Sequence, residues 1–130
     1  MKFPTELKYA KTDEWVKVDG KVATIGISDY AQAQLSDIVY VDIALAVGQK
    51  ASKGSTFASV ESVKAAADIN LPVSGKVVAV NGDLSKTPEE VNTDPYGKAW
   101  MIKIEMDSPA DVNDLMDAGA YEKYCDGRSH

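Results

Sequence analysis

Short runs of β-branched residues, broken again and again by glycine-bearing turns, constrain this chain more than any other feature. Val16-Lys17-Val18 and Val22-Ala23-Thr24-Ile25-Gly26-Ile27 flank Asp19-Gly20, a dipeptide that supplies positive φ to a two-residue hairpin turn. Ile38-Val39-Tyr40-Val41-Asp42-Ile43 predicts a strand, as does Thr56-Phe57-Ala58-Ser59-Val60-Glu61 after the loop punctuated by Gly48 and Gly54. Ala65-Ala66-Ala67 favours helix by propensity. Against it, Ala67, Ile69, Leu71 and Val73 alternate with Asp68, Asn70, Pro72 and Ser74, and Pro72 would break a helix. A strand half facing water is therefore expected, with Ser74-Gly75 turning the chain into a buried strand at Val77-Val78-Ala79-Val80. The last strand is Trp100 to Met106, where Trp100, Ile102, Ile104 and Met106 alternate with Met101, Lys103 and Glu105.

Helices are few and short. Ser28 can cap one running through Leu35, with Asp29 suited to its positive end. Thr87-Pro88-Glu89-Glu90 has the order of a capping hydroxyl, a first-turn proline and a glutamate reaching back. Ser108-Pro109-Ala110-Asp111 opens another by the same logic, with Val112, Leu115, Met116 and Gly119 on one face. Val18-Asp19-Gly20-Lys21-Val22 and Val73-Ser74-Gly75-Lys76-Val77 share a V-x-G-K-V pattern, which two similar hairpins explain adequately.

Composition then limits the chemistry. With 130 residues, 45% of them hydrophobic, a single domain over 1–130 is expected. Fourteen basic against twenty acidic residues give a net charge of −6, which argues against grip on nucleic-acid phosphates or on anionic membranes. From Asp107 onward there are six acidic residues and two basic ones, so this quarter holds most of the excess. Cys125 is the single cysteine and His130 the single histidine, which removes internal disulfides, histidine-based triads and Cys- or His-rich metal sites. No stretch approaches the roughly 20 apolar residues of a membrane span. Trp15 and Trp100 read as core or half-buried anchors, and Cys125 as an incidental thiol near a mobile end.

What remains is Glu61-Ser62-Val63-Lys64-Ala65-Ala66-Ala67-Asp68. Two expected strands run into and out of it, which sets Lys64 near a hairpin tip among small neighbours. An amine on a flexible stem is suited to acylation.

That segment, followed by Asp68-Ile69 and Pro72-Val73-Ser74-Gly75, resembles the lipoylation motif of the glycine cleavage system H proteins, and the likeness covers nearly the whole chain. Tyr9 with Glu14-Trp15-Val16, Gly26-Ile27-Ser28-Asp29-Tyr30-Ala31-Gln32, Leu35-Ser36-Asp37-Ile38-Val39-Tyr40-Val41, Val91-Asn92-Thr93-Asp94-Pro95-Tyr96-Gly97, and Leu115-Met116-Asp117-Ala118 with Ala120-Tyr121-Glu122-Lys123 follow the family pattern in order. One departure stands out: Asp13 takes the place of the histidine that usually precedes the Glu-Trp pair.

The resemblance implies a mainly β fold, a barrel-sandwich hybrid of two small antiparallel sheets with short helices and a C-terminal helix. It implies a carrier and not an enzyme. Lys64 would hold lipoic acid as an amide, N6-lipoyllysine, and Glu61 would be read by the attaching lipoate ligase or octanoyl/lipoyl transferase. Glu14, Thr12 and Asp68 would line a cleft for the arm; ordinary surface solvation is the alternative for the two acids. The implied partners are a pyridoxal-phosphate glycine decarboxylase, an aminomethyltransferase and dihydrolipoyl dehydrogenase. A monomer is implied, in the cytoplasm of a bacterium or the mitochondrion of a eukaryote. A cofactor that brings its own sulfur chemistry suits a chain nearly free of thiols. A lipoyl relay and an unmodified interaction module on the same fold are the competing readings, and Lys64 serves carrier and relay alike.

Overall fold

In a computed structural model, which describes residues 1–128, two antiparallel sheets face each other across an apolar interior. The strands are β1 (Lys8–Tyr9), β2 (Glu14–Asp19), β3 (Val22–Ile27), β4 (Ile38–Ile43), β5 (Lys50–Ala51), β6 (Thr56–Ser62), β7 (Ala66–Asn70), β8 (Gly75–Val80) and β9 (Ile102–Met106). The helices are α1 (Asp29–Leu35), α2 (Glu90–Thr93) and α3 (Ala118–Arg128). The larger sheet runs β1-β2-β3-β9-β8-β5 and the smaller β4-β6-β7. This is the expected mainly β architecture with a C-terminal helix, and the two sheets do not close into a barrel. His130 lies outside the described residues.

Alternation along the strands builds the interior. Val16, Ile25, Val77 and Ile104 of the larger sheet meet Val41, Phe57, Val60 and Ile69 of the smaller, all buried. Each such side chain stabilises by about 1.5–3 kcal/mol on burial. A second cluster sits at one edge, where α3 packs Tyr121 on Tyr9 with centroids 4.6 Å apart and planes 1° from parallel. Trp15 is buried there with its indole N–H donating to Pro95 C=O at 2.9 Å, and Trp100 is half-buried, as expected of both. Cys125 is a correction: at 2% exposure it belongs to this cluster, because Tyr121 and Cys125, one turn apart on α3, face inward together.

Other local expectations change for identifiable reasons. The first hairpin pairs Asp19 with Val22, so its loop residues are Gly20 and Lys21. Only Gly20 has positive φ, 63°, the type II′ pattern with glycine in the first loop position. The V-x-G-K-V echo does not mark two similar hairpins. Gly75 begins β8 and pairs with Met106 and Ala51, so it lies in a strand where Gly20 lies in a turn. β7 ends at Asn70, and Leu71-Pro72-Val73 are buried outside any strand.

The Thr87 cap does not form. Thr87 Oγ1 donates back to Asp83 C=O at 3.4 Å, its N–H closes the preceding turn on Leu84 C=O, and α2 starts only at Glu90. The helix expected from Ser108 through Gly119 is also interrupted. Pro109–Asp114 make a short 3₁₀ segment. Leu115 and Met116 are then pulled into extended backbone because Met116 and Tyr9 exchange two main-chain hydrogen bonds of 2.8 Å. A true helix restarts at Ala118, where Asp117 Oδ1 accepts from Ala120 N–H at 2.8 Å. Likewise β9 starts at Ile102 and not Trp100, since Trp100 N–H is used in a turn to Gly97 C=O.

Candidate functional site

The β6–β7 hairpin places Lys64 at its tip. Glu61 pairs with Ala66, and Ser62 N–H donates to Ala65 C=O at 2.7 Å, which leaves Val63, Lys64 and Ala65 to turn the chain. Ser62 organises the turn: its hydroxyl oxygen accepts from Lys64 N–H at 3.2 Å and Ala65 N–H at 3.0 Å, the local side-chain bonding that serine uses in turns. The tip is fastened from outside as well, by Val63 N–H donating to Asp37 C=O at 3.0 Å. Lys64 is exposed, Val63 beside it is 68% exposed, and among the described residues the Lys64 ammonium makes no ion pair. Glu61 is exposed too, opposite Tyr40 on β4.

The strand that leaves this tip forms one wall of a cleft of about 370 Å³. Ala67, Asp68 and Ile69 supply that wall; Ile27, Ala31 and Leu35 add apolar surface, and Thr12, Asp13, Tyr30 and Arg128 stand around them. β7 rises about 3.3 Å per residue, so Asp68 lies about 7 Å along the strand from Ala66, just past the turn that holds Lys64. A lysine side chain extended by a short acyl chain can span such a distance. The cleft combines apolar lining residues with polar ones, which suits an aliphatic chain with a polar terminus. No group of three or more metal-ligating side chains occurs among the described residues, and no helix there is long and apolar enough to cross a membrane.

Thr12 and Asp68 are among the residues that line this cleft. Glu14 sits behind them, 1% exposed. Thr12 Oγ1 donates to its Oε1, and Asn70 N–H reaches its Oε2 at 3.4 Å. Burial pushes the Glu14 carboxyl up from 4.5 to about 7, against the pull of those two hydrogen bonds. The folded chain therefore holds a proton that the unfolded chain has released between those two values. Stability should fall as pH rises through this window, by as much as about 3 kcal/mol, and be flat outside it for this group. Glu14→Gln should remove that slope. Urea midpoints of the parent and variant across the window measure it, and an unchanged slope would contradict the assignment.

Residues that sequence reasoning missed lie mostly far along the chain. Tyr121 hydroxyl donates to Asp13 Oδ1 at 2.8 Å and lies 2.6 Å from Ser28 Oγ. Arg128 donates to both Asp13 oxygens, at 2.6 and 2.9 Å. Burial, the larger cause, raises the Tyr121 phenol well above its ordinary range. Nothing local announces such partners, because the separations exceed 90 residues. Ser62 could have been found, as a serine directly before a tight turn.

Known proteins resemble this chain in sequence and in fold. The family model for the glycine cleavage H-protein matches residues 7–128. A glycine cleavage system H protein of Koribacter versatilis is 52% identical over 124 residues, spanning 95% of this chain and 94% of its own. Glycine cleavage system H protein 2, mitochondrial, of Arabidopsis thaliana is 50% identical over 121 residues, spanning 93% and 77%. Among solved structures, a glycine cleavage system H protein from Mycobacterium marinum superposes with a TM-score of 0.82 at 28% identity, covering 98% of this chain and 99% of that one.

Proposed function

The chain belongs to the glycine cleavage H-protein family, and from that premise we propose that it is a lipoyl carrier acylated on Lys64. The observation that carries this reading is an exposed lysine at a fastened hairpin tip, followed along the same strand by a half-apolar cleft. When attached, the dithiolane supplies thiol–disulfide chemistry and a sulfur that accepts an aminomethyl group. The chain itself would hold, orient and shelter.

Each residue then has a task. Lys64 offers its amine to the attaching ligase or transferase, which reads Glu61 on the same exposed face. Ile27, Ala31, Leu35 and Ile69 exclude water from an aliphatic chain laid in the cleft. Asp68 and Thr12 meet its polar end, and Glu14 behind Thr12 strengthens the negative potential there once ionised. A cation in the cleft favours the ionised carboxylate, so its retention should strengthen as pH rises through about 7. The carrier would serve the pyridoxal-phosphate glycine decarboxylase, the aminomethyltransferase and dihydrolipoyl dehydrogenase in turn, as a monomer and without catalysing a step alone.

Intact-mass measurement of the full chain, produced with lipoate available, tests the proposal. One lipoyl or octanoyl increment is expected, mapping to the peptide that contains Lys64. No increment, or one located elsewhere, overturns it. Formation of methylenetetrahydrofolate from glycine with the three partner enzymes separates the carrier from a relay: a fully lipoylated chain that supports none of it favours a relay or a scaffold.

A further inference from the structure

Asp13 occupies the left-handed region at φ 79°, a conformation that aspartate tolerates better than most side chains. Its N–H donates to Ala10 C=O at 3.0 Å and its C=O accepts from Ser28 N–H at 2.9 Å. These bonds fix its direction, and its carboxylate takes three donors: Tyr121 hydroxyl and both terminal nitrogens of Arg128. The Arg128 guanidinium lies 4.7 Å from the ring centroids of both Tyr30 and Tyr124. Tyr121 continues to Ser28, whose oxygen caps α1 by accepting from Ala31 N–H at 3.1 Å. The Thr12 turn, the last residue of α3 and, through Tyr121 and Ser28, the start of α1 are therefore joined to one carboxylate in the lining of the cleft.

This arrangement puts a partly exposed guanidinium in the lining of a cleft whose other charged groups, Asp68 at its wall and Glu14 behind it, are acids. Left alone, that cation would repel a cationic guest. From this geometry we propose that Asp13 and Arg128 set the charge selectivity of the cleft: Arg128 is held in the lining by stacking on tyrosine, and Asp13 cancels its charge so that the acids select an aliphatic chain ending in an ammonium. The inference rests on the cleft being the arm site of the proposed carrier. Asp13 and Arg128 act as positioning residues and touch no reacting atom.

The test uses the full-length unmodified chain with two probes in solution, hexylammonium and hexanol, whose affinities are read from amide chemical shifts of cleft residues. The parent should prefer hexylammonium. Asp13→Asn keeps an acceptor for Tyr121 but leaves the guanidinium uncompensated, so that preference should fall about tenfold, the size of a like charge a few ångströms away screened by water. Arg128→Gln should raise the preference, because it frees a carboxylate in the lining. The double variant should return close to the parent. A mere staple of α3 predicts something different, both single variants weakening both probes in parallel, and that result overturns the proposal. Arg128→Gln lies at the surface and keeps the test open should Asp13→Asn fold poorly. If the parent shows no preference for hexylammonium, or Asp68→Asn with Glu14→Gln leaves that preference intact, the cleft reading itself falls and this inference with it. Loss of preference in that pair, with both Asp13→Asn and Arg128→Gln unchanged, sinks the selectivity proposal alone.

Discussion

Lys64→Arg is expected to remove all lipoyl mass from a chain that folds as before. The tip is built by main-chain groups and the Ser62 hydroxyl, none of which involves the Lys64 amine, so the urea midpoint should shift by less than about 0.5 kcal/mol in free-energy terms, as exposed substitutions usually do. Chemistry changes completely, because a guanidinium stays protonated and is no nucleophile for an activated acyl group. Lys8 and Lys76 are exposed but lie within paired strands, and Lys21, at the tip of the first hairpin, has Val18 and not a glutamate three residues before it. Glycine-dependent one-carbon transfer with the partner enzymes should fall to background. An increment that survives the substitution would place the acceptor elsewhere and end the carrier assignment for this lysine.

The largest loss of stability should come from Gly75→Ala. Gly75 stands in β8 between Met106 of β9 and Ala51 of β5. A Cβ added there would lie 2.1 Å from Glu105 O and 2.7 Å from Ile104 Cγ2. The nearer atom is main chain in a central strand and cannot rotate away, so the β8–β9 ladder must part. Overpacking of this kind costs about 1–3 kcal/mol even where side chains can yield, and a clash with backbone belongs at or above the top of that range. Against a typical total of about 5–15 kcal/mol, a large fall in urea midpoint follows. Gly82→Ala is the matched control, since nothing lies within 4 Å of its added Cβ. Equal midpoints for the two variants would show that β8 relaxes freely.

The strands were legible because β-branched runs and the turns that break them are local signals: β2, β3, β4 and β6 stand where those runs lie, and Lys64 falls at the tip those strands imply. Failures came where a distant partner outbid a local preference. Met116 belongs to a helical pattern, yet its backbone pairs with Tyr9, more than 100 residues away. Gly75 sits in the same short pattern as Gly20, yet strand pairing on both sides decides its state. The cleft shows the same division. Thr12 and Asp68 reach it, while the approach of Arg128 and Tyr121 depends on α3 folding back over the first strands, and buried Glu14 meets Asn70 of β7, 56 residues on. No spacing rule reports such a docking.

The bond from Val63 N–H to Asp37 C=O has a kinetic consequence. It ties the hairpin tip to the body, so a group carried on Lys64 would swivel about a stationary post and not about a waving loop. A tether with a fixed root confines its free end to a small shell of solvent, and short tethers hold their ends at effective concentrations in the millimolar range. Any enzyme that settles against that shell would meet the tethered group at a concentration set by the length of one side chain, independent of how much protein the cell contains.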